Sequence, residues 1–68
     1  MERKTIKQLK KGEFFTLKDY GENPPETRVY IRGEYERSEK KYECEKFSDF
    51  CSYSLFKGSR VVYVGFTF

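Results

Sequence analysis

Cys44 and Cys51, Glu45 and Asp49, and the group Arg28, Tyr30 and Arg32 are the side chains whose types and spacing bear most directly on chemistry. The two cysteines form a C-x₆-C pair in a chain of 68 residues that has no histidine. Zinc sites use four ligands drawn mainly from Cys and His at short paired spacings, so two thiols alone make a poor metal site and no cofactor is expected. Buried or half-buried structural thiols are the favoured reading, with a Cys44–Cys51 disulfide as the alternative in an oxidising compartment. Glu45 and Asp49 are close enough in sequence to pair as carboxylates, but acids on strand faces and loops are usually solvated. Without histidine, a general base would have to be a Glu, Asp, Lys or Tyr with a strongly shifted pKa held in a pocket. A barrel of this length is filled by its own side chains. Gly33 and Gly58 are isolated and build no phosphate loop. The chain is therefore expected to be non-enzymatic, with no small-molecule substrate.

Binding offers sharper candidates. Aromatic side chains on a sheet surface stack on unpaired bases while cations track the phosphates. Arg28, Tyr30 and Arg32 share a strand face by period two, and Lys4, Lys7, Lys10 and Lys11 lie in the N-terminal segment. Together they form a candidate single-stranded nucleic-acid contact. The same face carries Glu34, Glu36, Glu43 and Glu45, which repel phosphate. The competing reading, given precedence, is a protein-interaction or self-associating module. In that reading Val61, Tyr63 and Thr67 on the outer side of the last strand bury themselves against a protein partner or a second copy, by edge-strand pairing.

The elements that must position these residues are mostly strands. Thr5 to Lys11 places Ile6 and Leu9 three apart, which suits one helical turn ending at Gly12. Phe14 to Leu17 are β-formers. Asn23-Pro24-Pro25 breaks the chain, because proline cannot donate to a ladder and restricts the residue before it. Arg28 to Phe47 then reads as a β-hairpin turning at Ser38-Glu39, with Val29, Ile31, Gly33 and Tyr35 on the inner face. In that register Tyr35 faces Tyr42, Glu36 faces Lys41, Gly33 faces Cys44, and Glu34 falls against Glu43. The last pair is unfavourable, so a bulge or ladder end is expected near Cys44 to Phe47, with Gly33 as a second candidate bend. Ser48 to Ser52 reads as a polar loop and Tyr53 to Phe56 as a short strand. Gly58 sits in a turn with freedom to take a positive φ. Val61 to Phe68 alternates as a strand with apolar character on both faces, suited to closing a barrel against a first strand.

A single small domain follows. A chain of this length buries about 60 % of the surface its unfolded form exposes and keeps roughly 3 to 5 kcal/mol of stability. Thirteen aromatic residues, seven Phe and six Tyr, compensate through the large area each ring buries. The net charge of +3 is uneven: residues 1–12 carry five cations against one acid, and residues 13–49 carry seven against ten. The basic character is thus expected in an N-terminal arm that contacts an anionic partner or simply stays solvated. The N-terminus has no signal-like apolar run and no segment reaches membrane-spanning length, so the expected compartment is the cytoplasm, with no membrane partner.

The expected fold is all-β: four to five antiparallel strands in a small SH3-like or OB-like barrel or a twisted sheet, with a one-turn N-terminal helix. The runs LKKGEFFTL at Leu9 to Leu17, RVYIRGEYERSEKKYEC at Arg28 to Cys44 and FKGSRVVY at Phe56 to Tyr63 resemble a group of short uncharacterised proteins of Bacteroides-type gut bacteria and their mobile elements. The resemblance covers nearly the whole chain and implies a bacterial, cytoplasmic, small β-domain. It transfers no activity. Where those relatives carry Asp after Lys-Gly in the last turn, this chain has Ser59, so no role is built on an acid there.

Overall fold

In a computed structural model the described residues run from Glu2 to Phe66, with only the backbone described for residues 49–51. The chain forms an all-β domain: β1 (Glu2–Thr5), a 3₁₀ turn (Ile6–Gln8), β2 (Phe14–Thr16), a second 3₁₀ turn (Glu26–Arg28), β3 (Val29–Glu36), β4 (Lys41–Lys46), β5 (Asp49–Phe56) and β6 (Val61–Val64). All six strands belong to one antiparallel sheet, ordered β1-β6-β2-β3-β4-β5 and curled into a half-barrel. Six strands replace the four or five expected, because the segment read as a basic arm is itself a strand. Three of the four residues from Glu2 to Thr5 are charged, yet they pair residue for residue with Val64 to Val61, and an outermost strand can carry charges that an inner one cannot.

One face of the sheet makes the core. Phe15, Cys44, Val62 and Val64 are buried there, and the 3₁₀ turn lays Ile6 and Leu9 over them. Tyr30, Tyr42, Phe56 and Leu17 pack at the margin. The Phe15 and Tyr30 rings stack with centroids 5.7 Å apart, and Phe56 meets both edge-on. Because Phe56 ends β5 while Phe15 lies two strands beyond β4, these ring contacts hold the sheet curled. Val29 and Thr16, also buried, lie outside this cluster. They are the residues at which the 17–28 loop re-enters and leaves the sheet, and that loop brings in a third buried side chain, Pro24.

The central hairpin turns over residues 37–40, with Tyr35 opposite Tyr42 and Glu36 opposite Lys41. Beyond Tyr35 the register shifts by one residue, so Arg32, not Gly33, lies opposite Cys44. The bulge therefore lies at Gly33-Glu34, and the β3–β4 ladder continues unbroken from there to Lys46. It also removes the Glu34–Glu43 clash: Glu34 turns outward, where its Oε1 accepts a hydrogen bond from Lys11 Nζ. A bulge changes which face each residue presents. Tyr30 and Arg32 consequently lie on the core side, and the expected inner face of Val29 and Ile31 is the other one.

Three smaller expectations also change. The stretch read as a polar loop from Ser48 to Ser52 is mostly the start of β5, irregularly paired until Tyr53. The final strand stops at Val64, where Gly65 takes φ +82°. Gly58 does not use a positive φ; it is needed for space, since a Cβ there would stand 2.9 Å from Tyr42 Cε1 and 3.2 Å from Lys7 Cβ.

Candidate functional site

Of the residues expected to meet nucleic acid, the structure disperses the strand-face group. Tyr30 is half-buried, stacked on Phe15. Arg28 belongs to the second 3₁₀ turn and not to a strand face. Arg32 donates from Nη1 to the Gly33 carbonyl at 2.8 Å and sets its guanidinium 4.3 Å from the Tyr42 ring centroid. The platform expected on the outside of β3 is therefore built into the core margin. Lys11 is held by Glu34, and Lys10 lies beside Glu13, whose carboxylate accepts its backbone N–H at 2.6 Å. The Lys10 ammonium takes no part in that bond, and Lys4 and Lys7 are likewise outside any ion pair among the described residues.

Those two lysines join cations that the sequence reading left out. The β5–β6 turn is tied to the 3₁₀ turn by Lys7 N–H donating to Gly58 O and Ile6 N–H donating to Arg60 O, both at 3.1 Å. This brings Lys7 to a turn that carries Lys57 and Arg60. Beside it an open groove of about 330 Å³ is lined by Lys41, Leu55, Phe56, Lys57, Ser59 and Arg60. A second groove, of about 380 Å³, is lined by Arg3, Lys4, Thr5, Gln8 and Val61. Arg60 of the first groove and Val61 of the second are consecutive in the chain, and Val61 pairs with Thr5 of β1. Five cations and no carboxylate line them.

The carboxylate that faces Lys41 across the hairpin is engaged elsewhere. Glu36 lies opposite Lys41, but its Oε1 accepts instead from Ser38 Oγ at 2.8 Å and from Ser38 N–H at 3.3 Å. Among the described residues Lys11–Glu34 is the one ion pair, and the Lys11 ammonium holds the Glu34 carboxyl below its ordinary pKa. Arg60 lies over Phe56, its guanidinium carbon 5.3 Å from the ring centroid. Next to this basic end stands Tyr35, 45 % exposed, with its ring 4.9 Å from that of Tyr42, and Tyr42 abuts Gly58 in the basic turn. An exposed aromatic face thus borders a strip of cations.

The remaining candidates are placed as follows. Val61 is half exposed and Tyr63 half-buried, on a strand flanked on both sides, by β1 and by β2 through the Thr16–Tyr63 pair. Edge pairing of β6 with a second copy is therefore ruled out by its neighbours. Thr67, and the side chains of Asp49 and Cys51 with the pairings considered for them, lie outside the described residues. Cys44 is a free, fully buried thiol. Burial pushes its pKa up to about 11, against the smaller opposing effects of a Gly33 backbone hydrogen bond and the Arg32 charge. No helix among the described residues is long and apolar enough to cross a membrane. No protein-family model, curated protein or solved structure matches the chain.

Proposed function

We propose that this chain is a non-enzymatic binding domain for single-stranded nucleic acid, acting in the cytoplasm through its basic end. The observation that carries the reading is the carboxylate-free, cation-rich lining of the two grooves, together with exposed Tyr35. Lys41, Lys57, Arg60, Lys7 and Lys4 track phosphates, and Tyr35 offers a face to an unpaired base. Small, partly open β-barrels of the OB-like kind use strands and rims in this way. Lys41 alternates with core-side Tyr42 and Cys44 and so shares the outer side of β4 with Glu43 and Glu45, while Lys57 and Arg60 lie beyond those acids at the β5–β6 turn. The protein-interaction reading is supported by a different observation, the open β5 edge.

Fluorescence anisotropy with a labelled single-stranded oligonucleotide tests the proposal. Dissociation constants of about 1 to 100 μM that weaken steeply with salt are expected. Tyr35→Ala lowers single-strand affinity by about 1 to 3 kcal/mol and leaves duplex binding little changed. Absence of saturable binding at low salt removes the reading.

A further inference from the structure

The two open edges of the sheet are β1 and β5, and they differ in how they are protected. Edge strands avoid unwanted pairing with charges, proline, bulges or short length. β1 has four residues, three of them charged. β5 has eight, with one charge, at Asp49, and no proline. Its first half is irregular, but from Tyr53 to Phe56 it pairs regularly with β4, and that stretch carries no charge. Tyr53 is 62 % exposed and Leu55 is half-buried on the same face.

We propose that two copies of the chain pair through these β5 edges, antiparallel about Ser54. This register sets Tyr53 of each copy opposite Leu55 of the other, an aromatic–aliphatic cross-strand pair made twice. It sets Ser54 opposite its own counterpart. The acids stay apart: Glu45 lies inside Tyr53 and Glu43 inside Leu55, so across the junction they are separated by three strand spacings, about 14 Å. The other edge does not serve. β1 paired with itself brings Arg3 and Lys4 against like charges, and β1 paired with β5 is a head-to-tail contact that does not close. A symmetric β5 pair closes and yields a twelve-stranded sheet from two six-stranded ones.

The dimer has a consequence for binding that rests on the nucleic-acid reading, although the dimer itself does not. Lys57 lies three residues beyond the central Ser54 on each copy, so the two basic turns stand about 20 Å apart along the joined edges. One single strand reaches both.

Light scattering and sedimentation without nucleic acid test the pairing. A short strand-edge interface is weak, so the wild-type mass is expected to rise from 8.2 kDa towards twice that value between about 5 and 500 μM. Ser54→Lys places like charges face to face on the two-fold axis. Ser54 is exposed in the monomer, so this variant is expected to keep the wild-type circular dichroism and stay monomeric, while Ser54→Thr dimerises. Hydrogen exchange should show amides within residues 53–56 gaining protection with concentration. A wild-type chain that stays monomeric throughout, or a Ser54→Lys chain that dimerises as readily, overturns the proposal. Protection gained instead at residues 3–5 overturns it as well. A dimer that binds no oligonucleotide leaves the pairing standing and removes the nucleic-acid reading alone.

Discussion

Gly33 faces the carbonyl of Glu43 so closely that a Cβ on it would stand 2.5 Å from that oxygen. The close approach is the inside of the β3 bulge, where Gly33 and Glu34 together oppose one residue of β4. From it follow the core position of Tyr30, the Arg32–Tyr42 contact and the outward turn of Glu34 to Lys11. Gly33→Ala sets the new Cβ against the Glu43 backbone carbonyl, which no side-chain rotation relieves, and is expected to cost about 2 kcal/mol. Gly58→Ala meets the Tyr42 ring edge and the Lys7 side chain, which can shift, and is expected to cost about half as much. Urea unfolding of the two variants checks the order. Equal stability of Gly33→Ala and wild type would sink this account of the bulge.

The buried Cys44 thiol makes stability depend on alkaline pH. Its folded-state pKa is raised to about 11 from an ordinary value of 9.0, so the unfolded chain loses its proton first. The stabilisation from keeping the thiol neutral and buried is full below about 9 and is lost progressively as pH rises towards 11. The loss is on the order of 3 kcal/mol, a large part of the stability of a domain this small. Unfolding midpoints of wild type and Cys44→Ala, both with Cys51→Ser, should converge between pH 8 and 11. Parallel pH profiles would show that the thiol contributes nothing. In the same background, a thiol reagent at pH 8 should label Cys44 only as fast as the domain opens.

Tyr30 separates folding from binding. It contacts Phe15 and Phe56 across the core margin, and truncating it opens the half-barrel where β2, β3 and β5 meet. Tyr30→Ala is expected to cost about 3 kcal/mol and leave a largely unfolded chain. Tyr30→Phe keeps the ring contacts and should bind oligonucleotide as wild type does. Weakened binding by a fully folded Tyr30→Phe chain, seen in the same anisotropy titration, would return the phenol to the binding surface.

How much of this was legible in the sequence depends on range. The central hairpin, the Tyr35–Tyr42 and Glu36–Lys41 pairs, and the burial of Ile6 and Leu9 follow from local alternation, turn composition and spacing, and are present, although the helical turn expected from Thr5 to Lys11 is a single 3₁₀ turn, Ile6–Gln8, with Leu9 extended beyond it. The bulge was signalled by two facts, an isolated strand glycine and an unfavourable Glu34–Glu43 pair. Counting by twos nevertheless carried the wrong phase through to Tyr30 and Arg32. β1 was hidden because three of its four residues are charged and its order comes from pairing with Val61 to Val64, nearly sixty residues away in sequence. The basic site was hidden for the same reason. Lys7, Lys41, Lys57 and Arg60 are scattered along the chain; the backbone bonds from the 3₁₀ turn to Gly58 and Arg60 bring in Lys7, and the β4–β5 ladder, through Tyr42 opposite Phe56, brings in Lys41.

The salt dependence of oligonucleotide binding distinguishes cations that meet phosphate from cations already engaged. Each ammonium or guanidinium that displaces a counterion from a single strand contributes roughly 0.7 to the slope of log K against log salt. Lys57 and Arg60 line the groove, so Lys57→Ala and Arg60→Gln should each flatten that slope by about this amount while weakening binding to all sequences alike. Lys11 carries the same charge but is bonded to Glu34, and releasing it from that pair opposes any contact with phosphate. Lys11→Ala should leave the slope unchanged. Titrations at four or five salt concentrations resolve a difference of this size. An equal flattening by Lys11→Ala would mean that the strand senses only the net charge of the domain, and the assignment of binding to the β5–β6 turn would fall.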